Sequence, residues 1–167
     1  MNPLLQALEA SRRYPPQISP NFLVEIEGAP EVFNYAVREV SVGGGTLEVE
    51  EIQSGALRFA LPRNADVSRV EMTVEMDEGG EIFKYFREWR ESVLGRDGYF
   101  GVPYGADGYV RQVKIFTLDR ALRPKNLIRQ IQAFPETLGQ VAFSVKQSEV
   151  MEMQLTLVQF MPATELL

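Results

Sequence analysis

Residues 70–94 have the sequence VEMTVEMDEGGEIFKYFREWRESVL, and this stretch decides the fold class. Its first part, residues 70–76, alternates apolar and polar side chains, which is the period of a half-buried strand. Its second part, residues 81–94, places apolar side chains three and four positions apart, which is the period of an amphipathic helix. Asp77, Glu78 and two glycines separate the parts. The stretch therefore predicts a strand followed directly by a helix.

One face of the predicted helix at residues 81–94 is apolar. The residues at positions i, i+4, i+7 and i+11 of this face are Ile82, Phe86, Trp89 and Val93. Asp77 and Glu78 precede the helix, where carboxylates interact favourably with the helix dipole, and Gly95 is a natural C-terminal stop. We expect the four apolar side chains to form a core helix face that packs against a sheet.

Further strands are predicted before and after this stretch. Alternating apolar and polar residues indicate strands at residues 21–27, 35–42, 46–52, 110–118, 126–134, 140–147 and 149–160. Residues 53–66 fit either a loop or the end of a long, projecting hairpin, and the glycine-rich residues 95–109 fit a loop. The prediction is a mainly β, α+β fold with one packed helix, as a β-sandwich or partial barrel of about six to eight strands.

The first twenty residues differ in character from the rest of the chain. Residues 3–13 predict a short helix, and the prolines at positions 15, 16 and 20 then predict an extended connector. We therefore expect an N-terminal extension at 1–20 and a single domain at 21–167. The extension does not fit a signal peptide, because its apolar run is short and its arginines follow that run. No apolar stretch is long enough to cross a bilayer, so a soluble product made inside the cell is expected.

Composition disfavours both nucleic-acid binding and catalysis. The chain of 167 residues has 17 lysines and arginines against 23 aspartates and glutamates, a net charge of −6, which repels phosphates. It has no histidine and no cysteine, so the commonest general base, the soft metal ligands and disulfides are missing. Its serines lack the strand-to-helix elbow of hydrolases. We expect no enzymatic activity, no cofactor and no metal.

The glycine triplet Gly43, Gly44 and Gly45 lies between two predicted strands and is expected to form a turn with positive φ. It does not fit a phosphate-binding loop, because no lysine follows at the required spacing and the next segment is a strand. Arg123 and Lys125 flank a proline in a predicted loop, which is typical of surface charge.

Five groups of short segments, in chain order, resemble the tail tube proteins of contractile phages and related injection machines. They are FLVEIEG at 22–28; VSVG at 40–43 with LEVEE at 47–51 and a loop ending at Leu61 and Pro62; VEMTV at 70–74 with the glycine pair and the helix to Trp89; AFP at 133–135; and SEV at 148–150 with LTL at 155–157. In AFP, Phe134 replaces the family's tryptophan. Residues 1–20 and 53–66 depart from the family pattern.

The resemblance implies a structural subunit of a phage tail tube. Six copies would form a ring, and rings would stack into a conduit that double-stranded DNA crosses without specific binding. The implied partners are further copies, tail sheath and baseplate proteins, without membrane insertion, in a virion tail assembled in the host cytoplasm. A tube initiator at the baseplate, a tube subunit of a secretion or contractile injection system, and a small-ligand-binding barrel remain alternatives.

Two sets of candidate residues follow from this expectation. Glutamates on polar strand faces are candidates to line the lumen, where they would repel phosphates so that DNA slides; they are Glu48, Glu50, Glu71 and Glu75. The segment 43–66 is the candidate for contacts between subunits, through Gly43, Gly44, Gly45, Gly55, Leu57, Phe59 and Pro62. Residues 1–20 and 95–109 are second choices.

Overall fold

The computed structural model describes residues 21–44, 47–95, 99–139 and 151–161. The predicted N-terminal helix, the predicted strand at 140–147, the SEV segment and Gly45 lie outside these residues. Within them no helix is long and apolar enough to span a membrane.

Eight strands and two helices form in the described part of the chain. The strands are β1 (Phe22–Ile26), β2 (Val37–Val42), β3 (Leu47–Ser54), β4 (Leu57–Ala65), β5 (Arg69–Glu75), β6 (Arg111–Leu118), β7 (Pro124–Leu138) and β8 (Glu152–Gln159). The helices are α1 (Phe33–Ala36) and α2 (Glu81–Leu94). The predicted mainly β class and the packed helix at 81–94 are confirmed. Of the two alternatives for residues 53–66, the long hairpin is correct, because β3 and β4 pair along their length.

The prediction of a strand from residue 35 is wrong at its start. Residues 33–36 form the single turn of α1, and the strand begins only at Val37. The ring of Phe33 is fully buried and lies 5.5 Å from the ring of Phe86, centroid to centroid. Burial of this side chain against α2 holds the turn, and a local alternation of side chains does not reveal such a long-range contact.

Six strands form one antiparallel sheet in the order β1-β6-β7-β8-β5-β2. Strand β7 joins its two halves, since residues from Pro124 to Ala133 pair with β6 and residues from Ala133 to Leu138 pair with β8. Helix α1 contacts both β1, at one edge, and β5, next to the other edge. The sheet therefore curves into a partial barrel.

The core lies between the concave face of the sheet and α2. Ile82, Phe86 and Trp89 are fully buried, whereas Val93, the fourth residue of the predicted core face, is only half-buried near the end of the helix. These side chains pack on alternating apolar residues of every strand except β3 and β4, among them Val24, Val70, Met72, Val74, Val113, Ile131, Met153, Leu155 and Leu157. Burial of this many large side chains is the main stabilising contribution to the domain.

Asp77 fixes the start of α2. Its carboxylate oxygens accept hydrogen bonds from the backbone N–H groups of Glu81 and Ile82, each at 2.9 Å. Burial alone would raise the pKa of Asp77, but these backbone donors outweigh it and hold the pKa below its ordinary value. Gly80, with φ of 69°, allows the tight turn that brings the carboxylate over the helix end.

The expectation of a glycine turn with positive φ at residues 43–45 is wrong for the two glycines that are described. Neither Gly43 nor Gly44 has positive φ. Strand β2 pairs with β5, and β3 pairs with β4, so this segment carries the chain out of the large sheet into the hairpin. Gly43 passes close to β5, where an added Cβ would lie 3.2 Å from the carbonyl oxygen of Arg69. The positive φ occurs instead at Gly55, in the hairpin turn.

Candidate assembly surfaces

Strands β3 and β4 form a hairpin, and among the described residues they pair with no other strand. Every residue of β3 is exposed. The hairpin leaves the body between the end of β2 and the start of β5, so it projects beyond the six-stranded sheet. A projecting hairpin gains no stability from the core of its own chain, and a two-stranded hairpin alone is marginally stable in water.

One face of this hairpin is apolar. Ile52 lies opposite Phe59, and Leu61 and Leu57 lie on the same face, because directly opposed residues of an antiparallel pair share a face. We call Ile52, Leu57, Phe59 and Leu61 the apolar hairpin face. Their exposed fractions are 43%, 64%, 50% and 50%. A contiguous patch of large exposed apolar side chains is typical of a protein interaction site.

The predicted inter-subunit residues are distributed unevenly over this element. Leu57 and Phe59 belong to the apolar hairpin face, whereas Pro62, paired with Val49, lies on the opposite face. Gly55 forms the hairpin turn. Gly43 and Gly44 precede β3, and Gly45 lies outside the described residues.

A second surface is the outward face of β2, β5 and β8. The buried residues Val70, Met72 and Val74 alternate with Glu71 and Glu75, which therefore face away from the core. The register brings Glu39 and Glu152 onto the same outward face, which also carries Ser41, Thr73, Gln154 and Thr156. We call Glu39, Glu71, Glu75 and Glu152 the acidic sheet face.

The acidic sheet face places like charges side by side. Glu75 lies directly across from Glu152 in the ladder of β5 and β8, an arrangement that is destabilising unless a cation relieves it. Arg38, in the bulge of β2, forms an ion pair with Glu75. Arg69, at the other end of β5, forms an ion pair with Glu136 at 2.8 Å. The middle of the face keeps its negative charge.

The four predicted lumen residues do not come together on one surface. Glu71 and Glu75 belong to the acidic sheet face. Glu48 and Glu50 lie on β3, where Glu50 is directly opposite Leu61 and so shares the apolar hairpin face. Sequence reasoning missed Glu39 and Glu152 as their neighbours; the alternation of Glu152 with the buried Met153 was the available signal.

A third surface is the turn between β6 and β7. We call residues 118–128 the β6–β7 arm. It carries three exposed cations, Arg120, Arg123 and Lys125, on a chain whose net charge is −6. It also exposes Leu122, Leu127 and Ile128, by 66%, 49% and 54%. The arm is therefore both basic and apolar, although the pattern of its sequence indicated only surface charge.

The carboxylate of Asp119 shapes this arm. Its Oδ1 accepts hydrogen bonds from the backbone N–H groups of Ala121 and Arg123, at 2.7 Å and 2.9 Å. Leu122 between them has φ of 58°, which is uncommon for a residue other than glycine. Asp119 also pairs with the side chain of Arg123 at 3.5 Å. The turn thus has a defined shape that holds Leu122 out to solvent.

The described residues form neither a metal site nor an empty barrel interior. Among the described residues, no group of three or more potential ligands could hold a metal ion. The interior of the partial barrel is filled by side chains such as Trp89, Phe86 and Phe33.

No protein-family model matches the sequence, and no curated protein matches it. Solved structures do match. A chain of the extended sheath–tube complex of an extracellular contractile injection system, PVC, has a TM-score of 0.61 at 16% identity, covering 90% of this chain and 92% of that one. The tube-terminating cap of the anti-feeding prophage has a TM-score of 0.61 at 15% identity, covering 86% and 87%.

The chain has a tail-tube-related fold. A third match with this fold comes from the tail of an empty GTA particle determined with C6 symmetry, with a TM-score of 0.53 at 12% identity, covering 86% of this chain and 93% of that one. The resemblance stated from the sequence is thereby confirmed at the level of the fold.

Proposed function

We propose that this chain is a structural subunit of a tail tube, in which six copies form a ring and rings stack into a hollow conduit. The observation that carries the proposal is the apolar hairpin face, which is exposed and projects from the body of its own chain. Such a surface is typical of a site that another protein covers. The similarity of the fold to chains from sheath–tube, cap and baseplate assemblies supports further copies, sheath and baseplate proteins as the partners.

The acidic sheet face is proposed to line the conduit. Helix α2 covers the other face of the same sheet, so only the acidic face is available to a central channel. Carboxylates repel the phosphates of DNA, which lets a duplex move along the wall without being held. Glu71 and Glu75 fit this role. Glu48 and Glu50 share their face with large apolar side chains, and this environment fits a subunit contact better.

Two related functions use the same fold. In one, the chain is a tube initiator or baseplate component, which would form one ring without extension. In the other, it is a tube subunit of a contractile injection system that delivers a protein cargo. The fold is similar to chains from both settings, since a chain of the PVC sheath–tube complex has a TM-score of 0.61 and a chain of the anti-feeding prophage baseplate has a TM-score of 0.53. A virion location and DNA ejection remain part of the proposal for the phage case.

Concentration-dependent assembly tests the proposal. We would measure the mass of the purified chain by light scattering over a range of concentrations and view the products by negative-stain electron microscopy. Sixfold rings or tubes with a central hole support the tube subunit, and rings that never stack support the initiator. A particle that stays monomeric at high concentration, and also when baseplate proteins are added, contradicts both.

A further inference from the structure

The hairpin and the β6–β7 arm leave the six-stranded sheet at the same end. Antiparallel neighbours alternate in direction, so the ends of β2, β6 and β8 and the starts of β5 and β7 share one end of the sheet. The hairpin connects β2 to β5, and the arm connects β6 to β7. Arg129 of β7 donates a hydrogen bond to Ser68, just before β5, at 2.9 Å, which ties the bases of the two projections together.

At this shared end, the arm lies nearer the β1 edge of the sheet and the hairpin lies at the β2 edge. In the order β1-β6-β7-β8-β5-β2, strand β8 lies between the arm and the hairpin. A second copy placed edge to edge beside the first, with its strands in the same direction, would present its arm on the side of the first copy's hairpin. Such a contact joins two different surfaces, and its repetition produces a ring or a filament.

The chemistry of the two projections is complementary. The apolar hairpin face carries Glu50 among large apolar side chains. Of the two hairpin cations, Arg58 lies on the opposite face with Gln53, and Arg63 lies in the bulge of β4. The arm offers the apolar side chains of Leu122, Leu127 and Ile128 together with cations. Asp119 engages Arg123, whereas Arg120 and Lys125 pair with no carboxylate in the residues that the structure describes.

Both projections have free strand edges as well. Strand β8 ends at Gln159, opposite Ala133, so residues 124–130 of β7 are paired only with β6 among the described strands. Strands β3 and β4 likewise each have one partner. Free edges of this kind accept a further strand through backbone hydrogen bonds.

We propose that the apolar hairpin face of one copy docks on the β6–β7 arm of a neighbouring copy, with Glu50 facing Arg120 and Lys125. This inference rests on the proposed function, and it specifies which surface of the neighbour receives the hairpin. The apolar side chains supply the buried area, and the charges select the orientation.

A reciprocal charge exchange tests the pairing. The variant Glu50→Lys and the double variant Arg120→Glu/Lys125→Glu should each raise the concentration needed for assembly by about tenfold or more, because an attraction becomes a repulsion at every contact. Mixing the two variants should restore assembly, since each hairpin then meets an arm of opposite charge. Matched controls on the exposed side of α2 are Glu88→Lys and Lys84→Glu/Arg87→Glu, which should assemble like wild type.

Cross-linking tests the contact even where the wild type forms no large assembly. The chain contains no cysteine, so Leu61→Cys and Leu122→Cys introduce single thiols. Oxidation of the mixed variants should give several times more covalent dimer than either variant alone, or than Leu61→Cys mixed with Lys84→Cys. Three outcomes would each overturn the inference. The first is an equal dimer yield from the mixed and the single cysteine variants, and the second is a disulfide within one chain when Leu61→Cys and Leu122→Cys are combined in the same protein. The third is that the charge variants assemble alone as well as wild type, or that mixing them does not restore assembly. If rings form but the cross-link does not, the proposed contact is wrong and the proposed tube function is unaffected. If the cross-link forms only in open chains and no rings are seen, the tube function is wrong and the contact is unaffected.

Discussion

The indole nitrogen of Trp89 donates a hydrogen bond to the backbone carbonyl oxygen of Tyr109, at 2.6 Å. Trp89 is fully buried in the middle of α2, and Tyr109 lies just before β6. The guanidinium of Arg111 is 5.0 Å from the centre of the same indole ring, a distance at which a cation is attracted to an aromatic face. One side chain therefore fixes the helix to the start of β6 by packing, by a hydrogen bond and by a cation contact.

Substitution of Trp89 should separate these contributions. Trp89→Phe keeps most of the apolar volume but leaves the Tyr109 carbonyl without its donor, and should lower the free energy of unfolding by about 1–3 kcal/mol. Trp89→Ala should cost about 3–5 kcal/mol. Urea denaturation followed by circular dichroism measures both. Phe83→Ala, on the exposed side of α2, is the control and should cost less than either; a Trp89→Phe variant as stable as wild type would show that the hydrogen bond contributes nothing.

Asp77 should make the stability of the domain depend on pH in the acid range. Its pKa is depressed in the folded state, so its contribution is present above the unfolded pKa and is lost as the pH falls through the folded value. Asp77→Ala should therefore lower the free energy of unfolding by about 1 kcal/mol near neutral pH. The difference from wild type should shrink below about pH 4. Denaturation curves at several pH values measure this, with Glu78→Ala as the control; a gap that stays constant with pH contradicts the capping role.

Reversal of charge on the acidic sheet face should make an assembled tube bind duplex DNA. Glu71→Lys and Glu75→Lys should fold and assemble, since both side chains face away from the core, but they should retain duplex DNA that the wild-type tube releases. The retention should weaken as salt is added, because it depends on phosphate contacts. Binding of fluorescent duplex to purified tubes, or genome release from particles, measures it. Normal release by both variants, at the level of a Glu88→Lys control, would remove the lumen assignment.

Removal of the hairpin tip should abolish assembly without unfolding the body. Deletion of residues 54–60 removes much of the apolar hairpin face, and the strands of the core do not include β3 or β4. Circular dichroism should show a folded domain, and light scattering should show a monomer. A gentler variant, Phe59→Ser/Leu61→Ser, should impair assembly in the same direction while keeping the hairpin length. Tubes of normal length from the deletion variant would contradict the role of the hairpin.

The parts of the fold that the sequence predicted are those whose signal is local. The alternation from Val70 to Glu75 and the helical spacing from Ile82 to Trp89 each lie within one element, so the strand and helix could be placed closely. Helix α1 was missed because it depends on the burial of Phe33 against Phe86, which are far apart in sequence. The role of Gly43 was misassigned for a similar reason. A tight turn is expected there if β2 pairs with β3, the next strand in sequence, but β2 pairs with β5.

The same limit applies to the candidate surfaces: residues of one strand could be grouped by alternation, whereas residues of different strands could not. Glu71 and Glu75 could be placed on one face by alternation. Leu57 and Phe59 were candidates for contacts between subunits in a segment that fitted either a loop or a hairpin, and the structure exposes both on the hairpin. Glu39 entered the acidic sheet face only through the pairing of β2 with β5. The β6–β7 arm was missed because its charged residues follow no strand or helix period. These charges suggest a contact surface only together with the exposed apolar residues beside them and with their position at one end of the sheet.

The length of β7 has a mechanical consequence. One unbroken strand runs from the arm, at Pro124, to Leu138 beside β8, and through β8 it is bonded to the strands that carry the acidic face. A pull on the arm would load the ladder between β7 and β8 along the strand direction, where its hydrogen bonds resist together and none can be peeled off first. Tension applied by a neighbour would thus run along the backbone of β7 and then across the hydrogen bonds to β8, so that it reaches the acidic sheet face without crossing a loop.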